Sequence, residues 1–316
     1  MKIYWSDRQG KAPPPNAEFF CRCFLPDAPA PFQGKAAWID SLPRPSSVKV
    51  LRRSYLPDRE EWVKSVQRIL ARKIEKTVLA RCQILDLAER PDPFSLAASL
   101  QSLAEGAYVF CVSDGEAAFL GATPERLFFR EGNRLLSEAM AGTRLRGRNP
   151  QEDETLGREL LGSAKDLREL TPVQTFLKTA LAPLCEEEVH FDPISLHKTQ
   201  NVQHLYAPCT AKLQRGVSDQ EILDRIHPTP ALCGSPVQEA FDLIQELEPF
   251  ERGLYGGALG WDAQDSSEWI VGIRSCFIRG KQAYLYTGTG IVEGSNPEEE
   301  WEELNHKGRL YDRIFL

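Results

Sequence analysis

Ala107-Tyr-Val-Phe-Cys-Val-Ser-Asp-Gly-Glu-Ala-Ala-Phe-Leu-Gly-Ala-Thr-Pro-Glu-Arg-Leu-Phe-Phe-Arg-Glu-Gly-Asn-Arg-Leu-Leu-Ser-Glu138 contains four short apolar runs, at 107–113, 117–121, 126–130 and 134–138. Asp114-Gly115 and Gly132-Asn133 separate them. Such steps between apolar runs supply the backbone freedom that a tight antiparallel hairpin needs. Upstream, Trp62, Val66, Ile69, Leu70 and Ile74 recur at helical spacing from Asp58 onward, and Thr77–Leu85 reads as a strand. A helix is expected near Phe94–Leu103. Downstream, Leu156, Leu160, Leu161, Leu167 and Leu170 give 151–185 an apolar helical face. Strands return near 189–197 and 202–213, Ser218-Asp-Gln-Glu221 is a capping box, and a helix is expected near 236–247. Gly-rich strand text from Gly253 to Ile291 then leads to a terminal helix. Helices stand between runs of hairpin-like strands without the regular alternation of a parallel sheet. The expected class is α+β, with large antiparallel sheets and flanking helices.

The first fifty-odd residues are rich in proline, with Pro13-Pro14-Pro15 and a spread from Pro26 to Pro45, and they carry a strand fragment at Glu18–Phe24 but no motif. The expected organisation is a Pro-rich segment 1–54 packed on a catalytic unit 55–316. With 316 residues, 42% apolar and 26% charged, the chain can bury a substantial core. A net charge of −7 argues against nucleic acid or an anionic membrane as the main partner. The start lacks the apolar core of a signal peptide and no apolar run has bilayer length, so cytoplasm is the expected location. Eight scattered cysteines and five histidines without a His-x-x-x-His pair fit neither a zinc hydrolase nor a disulfide scaffold.

Polar groups interrupt this apolar text at a few places. Lys76 stands at the mouth of a strand, and Glu125 occupies a turn between two. Ala141, Gly142 and Thr143 are small enough for close backbone approach to a ligand. Asp166 and Glu169 lie at i, i+3 on a helix. Tyr255, Arg274 and Gly288 bring an aromatic hydroxyl, a guanidinium and free N–H groups. Arg274 reads as lying inside an apolar strand, where a buried guanidinium needs an anionic partner. His204 fits a contact with a backbone carbonyl. On the terminal helix, capped by Asn296, Glu300, Glu303 and Lys307 share one face while Trp301, Leu304 and Tyr311 occupy another. Two carboxylates one turn apart suit a hard divalent cation such as Mg2+. Singly, each feature has an ordinary structural explanation.

Together they resemble the chorismate-utilising enzymes, the family of isochorismate synthase, salicylate synthase, anthranilate synthase component I and aminodeoxychorismate synthase. The matching stretches are Lys76-Thr-Val-Leu-Ala-Arg81, Gly121-Ala-Thr-Pro-Glu125, Glu138-Ala-Met-Ala-Gly-Thr-Arg144, Lys165-Asp-Leu-Arg-Glu169, Ser195 to Leu205, His227-Pro-Thr-Pro-Ala-Leu-Cys-Gly234, Arg252-Gly-Leu-Tyr-Gly-Gly257, Arg274, and Gly288 to Glu303. They occur in the family's order. One departure is Leu170, where the family often has His.

The resemblance implies chorismate as substrate and Mg2+ as cofactor, held by Glu169 and Glu303 with Glu300 close by. It implies Lys76 as base and Glu125 as acid. Ala141, Gly142, Thr143, His204, Ala231, Tyr255, Arg274, Gly288 and Lys307 line the substrate site. Anthranilate synthases carry Gln where this chain has Lys76, and aminodeoxychorismate synthases of the common type carry a nucleophilic Lys where it has Met140-Ala141-Gly142. The implied nucleophile is therefore water, with no glutaminase subunit. Lyase-competent members tend to carry Thr at the position of Ala231, so the expected activity is that of an isochorismate synthase. Salicylate synthesis and non-catalytic chorismate binding are the alternatives. Menaquinone and siderophore synthesis are both compatible destinations for the product.

Overall fold

A computed structural model describes every residue except 26, 27, 30, 33–35, 200 and 201. Pro26 of the proline-rich spread and residues 200 and 201 of the stretch Ser195 to Leu205 lie outside the described residues. The chain opens with β1 (Lys2–Ser6), β2 (Glu18–Arg22), β3 (Ala37–Trp38) and β4 (Val50–Leu56). Helix α1 (Arg59–Arg72) starts at Asp58, whose side chain and that of Glu61 cap each other's backbone N–H. It stops where Lys73 turns left-handed, so Ile74 lies beyond the helix and packs on the core from the loop. Next come β5 (Lys76–Leu87), α2 (Pro93–Leu103), and the hairpins β6 (Tyr108–Ser113)–β7 (Ala117–Thr123) and β8 (Arg126–Glu131)–β9 (Arg134–Leu145).

The helical text at 151–185 forms two helices, α3 (Pro150–Leu161) and α4 (Ala164–Leu181), because Ser163 caps the second by accepting from the Asp166 N–H. Then follow β10 (His190–Phe191), β11 (Ser195–Lys198), β12 (Val202–Lys212), α5 (Asp219–Ile226), β13 (Gly234–Ser235) and α6 (Val237–Leu247). Last are β14 (Ala258–Asp262), β15 (Ser266–Val271), β16 (Ser275–Arg279), β17 (Gln282–Ile291) and α7 (Pro297–Gly308).

Among the described residues the strands form two large sheets. The first runs β13-β5-β17-β16-β7-β6-β1-β3, with β4 also on β5; the second runs β10-β12-β9-β8-β15-β14-β2, with β11 on β12. Apart from the parallel pair β1–β3, the pairings are antiparallel. The hairpins that the opening stretch predicts are both present, but in different sheets. The chain crosses between sheets at Pro124-Glu125.

Burial explains the crossing. Every residue of β6 and β7 is buried. Val109, Cys111, Leu120 and Ala122 pack toward Leu96 and Leu100 of α2, while Tyr108, Phe110, Val112 and Phe119 pack toward Leu259, Trp261 and Ile270 of the second sheet. The alternation is the two-residue period of a strand covered on both faces. Truncating Phe110 or Phe119 to Ala is expected to cost about 3–5 kcal/mol.

On the second sheet, Leu170, Val173, Leu177 and Leu181 of α4 pack with Phe128, Leu135, Leu205 and Ala207. Trp62, Val66, Leu243, Trp301 and Leu304 join α1, α6 and α7 around the end of β5. Residues 1–54 supply strands to both sheets: β1 lies beside β6, and β2 beside β14. No helix among the described residues is long and apolar enough to cross a membrane.

Candidate active site

One cavity, about 810 Å³ counted out to its mouth, is lined by Lys76, Glu125, Ala141, Gly142, Thr143, Glu169, His204, Ala231, Tyr255, Arg274, Gly288, Glu303 and Lys307. These are the residues that the family resemblance assigns to the site, with Glu300 the exception. The first sheet contributes Lys76 and Gly288, the second Ala141–Thr143 and His204, and the facing helices α4 and α7 contribute Glu169, Glu303 and Lys307.

Lys76 is 2% exposed, and its Nζ donates to the main-chain carbonyl of Glu169 at 3.3 Å. Burial lowers its pKa below the ordinary lysine value. The Glu169 charge opposes that shift and Lys307 adds to it. The neighbouring β17 leaves room only because it is glycine-rich. A Cβ at position 290 would sit 2.8 Å from Lys76 Cε, and one at 288 would sit 2.5 Å from the Tyr255 hydroxyl.

Glu125 is buried, and among the described residues nothing donates to its carboxyl. Burial, with the nearby charge of Glu138, pushes its pKa up to about 7 against the opposing charges of Lys76, Arg8 and Lys307. Lys76 and Glu125 are thus displaced in opposite directions, each toward its neutral form, and each feels the other's charge.

Arg274 departs from expectation. It lies in the connection between β15 and β16 rather than inside a strand, at a left-handed φ of 48°. The Tyr311 hydroxyl donates to its carbonyl at 2.8 Å and the Ala122 N–H at 3.1 Å, which holds that backbone in place. Among the described residues its guanidinium hydrogen-bonds only to the Lys307 carbonyl, at 3.4 Å. Burial lowers its pKa below the usual guanidinium value. The Glu303 charge opposes that shift, but among the described residues the guanidinium forms no ion pair, so where it faces the cavity it offers a seat for an anion.

His204 Nδ1 lies 2.9 Å from the Gly142 carbonyl; a carbonyl only accepts, so Nδ1 carries the proton. Burial and then Arg274 lower its pKa to about 3, and its buried Nε2 has no hydrogen-bond partner among the described residues. The carbonyl contact read from the sequence is present.

The carboxylates differ among themselves. Burial raises Glu169 to about 7, with Lys76 opposing and Glu303 reinforcing the shift. Burial also works against an ionised Glu303, but Lys307, at 2.6 Å, and the Thr289 hydroxyl, at 3.1 Å, outweigh it and hold the carboxyl at about 2. Glu300, expected beside a cation, is 1% exposed and does not line the cavity; Lys165 Nζ (2.9 Å) and Thr289 Oγ1 (2.7 Å) occupy its two oxygens. Asp166 turns instead to Arg144, at 2.7 Å. No group of three Asp, Glu, His or Cys side chains converges as a metal cluster among the described residues. Glu169 and Glu303 nevertheless fit Mg2+, which takes one or two protein carboxylates and completes its shell with water and substrate oxygens. Glu169 in particular has no side-chain donor among the described residues. Leu170, where the family often carries His, is fully buried in the apolar cluster beneath α4.

Several polar neighbours escaped the sequence reading. Thr289 and Lys165 fell within quoted motifs but had no assigned role, and Arg8 lay in a segment without a motif. Arg252, also within a motif, donates to the carbonyls of Leu232 (2.8 Å) and Val78 (2.7 Å), tying two parts of the cavity wall together. Only its chain neighbours Gly253 and Tyr255 hinted at this.

A displaced lysine and glutamate facing one cavity, with a guanidinium in its wall that forms no ion pair among the described residues, are an arrangement suited to acid–base chemistry on a small anionic molecule. The family model described as chorismate binding enzyme matches residues 36–310, and the chain belongs to that family. Isochorismate synthase MenF of Bacillus subtilis is 38% identical over 258 residues, 79% of this chain and 54% of that protein. Isochorismate synthase 2, chloroplastic, of Arabidopsis thaliana is 42% identical over 236 residues, 74% of this chain and 42% of that protein. The solved structure of MenF, the menaquinone-specific isochorismate synthase from Escherichia coli, matches with a TM-score of 0.82 at 31% identity, covering 88% of this chain and 65% of that one. The chain spans about half the length of the curated relatives it matches.

Proposed function

We propose that this protein is an isochorismate synthase, converting chorismate reversibly to isochorismate with Mg2+ as cofactor. The observation that carries the reading is the opposed pair: Lys76 is pushed toward the neutral amine and Glu125 toward the protonated acid within one cavity. Those are the protonation states that a base and an acid need before turnover. Binding alone would need neither.

Neutral Lys76 takes a proton from water as the water oxygen attacks ring C2. The ring double bonds shift, the C4–O bond breaks, and Glu125 gives its proton to the departing oxygen, which leaves as water. Return of a proton from Lys76 to Glu125 through solvent resets the site. Arg274, Tyr255 and the N–H groups near Gly288 hold the enolpyruvyl carboxylate, while Ala141, Gly142 and Thr143 approach the ring. Glu169 and Glu303 are the residues that would hold the cation. When bound, it neutralises and orients the ring carboxylate.

Water serves as nucleophile, so no glutaminase subunit is required. Ala231 lacks the hydroxyl that could help arrange the enolpyruvyl arm for pyruvate loss, so the reaction stops at isochorismate. The test is incubation with chorismate and Mg2+ followed by product separation. Isochorismate should appear, and the same mixture should form from either side. Stoichiometric salicylate and pyruvate would replace this reading with salicylate synthesis, and an unchanged substrate would leave a binding protein.

A further inference from the structure

Behind Glu125 lies a polar cluster that this chemistry does not use. Arg8 leaves the turn that follows β1 and grips Glu138 of β9 with both arms of its fork, Nη1 to Oε1 at 2.9 Å and Nη2 to Oε2 at 2.6 Å. The same Nη2 donates to the main-chain carbonyl of Pro124, the residue before Glu125. The Glu138 side chain is fully enclosed and also accepts from the Tyr206 hydroxyl (3.0 Å) and Arg126 Nη1 (3.3 Å). Neither Arg8 nor Glu138 lines the cavity.

We propose that Arg8 and Glu138 are positioning residues for Glu125: the guanidinium fixes the crossover that carries the acid, and the ion pair behind it governs how readily the acid gives up its proton. The proposal rests on Glu125 being the acid of the proposed reaction. Three anchors hold the crossover. Val271 N–H donates to the Glu125 carbonyl at 3.1 Å, Glu125 N–H donates to Thr123 Oγ1 at 3.2 Å, and Arg8 holds Pro124. Without the planar fork Glu138 no longer orients the donor toward Pro124, and the last anchor loosens.

Charge completes the argument. Glu125 is faced by Lys76 of β5, Lys307 of α7, Tyr255 of the connection before β14, Glu138 of β9 and Arg8. The carboxylate of Glu138 disfavours an ionised Glu125 and the guanidinium of Arg8 favours one, so the pair acts as an adjustable dipole outside the cavity. The motif-free N-terminal segment thereby acquires a part in the reaction.

The test compares wild type, Arg8→Gln, Arg8→Lys and Glu138→Gln. The kcat–pH profile for chorismate is measured, and the Glu125 carboxyl is titrated by carbon NMR in glutamate-labelled protein, its signal assigned by its loss in Glu125→Gln. Arg8→Gln should move the alkaline limb and the NMR titration up by about one pH unit, and Glu138→Gln should move both down by about as much. Arg8→Lys should restore the titration but leave kcat several-fold low, because it keeps the charge and loses the fork. If Glu138→Gln does not fold, the two Arg8 variants decide. Folded Arg8 variants whose Glu125 titrates as in wild type would overturn the proposal. Wild-type protein inactive on chorismate would instead overturn the assigned reaction, and the NMR titration would still decide the linkage.

Discussion

Two walls of one cavity treat the same side chain in opposite ways. At the crossover between the sheets, the Glu125 carboxyl receives no hydrogen bond among the described residues, has Glu138 behind it and is displaced up to about 7. On α7, Glu303 takes Lys307 and the Thr289 hydroxyl and is held at about 2. Burial pushes both upward. Donors and neighbouring charge decide the outcome, so Glu125 is pushed toward its protonated form and Glu303 toward its ionised one. In the proposed reaction the first state suits proton transfer and the second suits cation binding, without any difference in residue type.

Breaking the proton-transfer side should have the largest effect. Lys76→Ala is expected to lower kcat by roughly 10³-fold or more, with chorismate KM within a few-fold, because the base acts in the transition state. A KM that rises as far as kcat falls would make Lys76 an anchor instead. Glu125→Gln keeps the shape and loses the proton, so kcat should drop by roughly 10²–10⁴-fold; unchanged turnover removes it from the acid role.

On the other wall, Glu169→Gln and Glu303→Gln should each raise the Mg2+ concentration for half-maximal activity by roughly tenfold or more, since each removes a hard anionic ligand. Titrating activity with Mg2+ after chelation checks this, and activity that survives thorough chelation rejects the cation site.

The pH dependence sharpens the same contrast. In the proposed reaction Glu125 works while protonated, so kcat should fall about tenfold per pH unit as pH rises beyond about 7. A profile flat from pH 6 to 9 would place the acid elsewhere.

The smallest effect concerns product. Ala231→Thr should raise pyruvate release from near zero to a minor fraction of turnover, measured by coupled pyruvate detection. No increase would free Ala231 of any part in stopping the reaction at isochorismate.

The strand and helix text was legible because its periods are local. Ser218 caps its helix as its sequence indicates, a helix follows Asp58, and the steps at Asp114-Gly115 and Gly132-Asn133 turn two hairpins. The residues lining the site were legible through their motifs. Their partners were harder to read. Glu300 shares a face of α7 with Glu303 at the i, i+3 spacing, yet Lys165 of α4 reaches across to it, and no spacing within α7 announces that. Arg8 lies in text without a motif and acquires a role only where β1 is placed beside β6.

Sequence by itself determined the elements, the antiparallel class and the family resemblance, because each depends on neighbours within a few turns or on motif order. Tertiary structure decided that the two hairpins enter different sheets, that Glu125 stands at their crossover, and that Glu125 and Glu303 are displaced in opposite directions. Those outcomes depend on burial and, for Glu125, on charges contributed by residues more than a hundred positions away, such as Arg8 and Lys307. Electrostatic energy follows distance in space and local dielectric, and neither can be read along the chain.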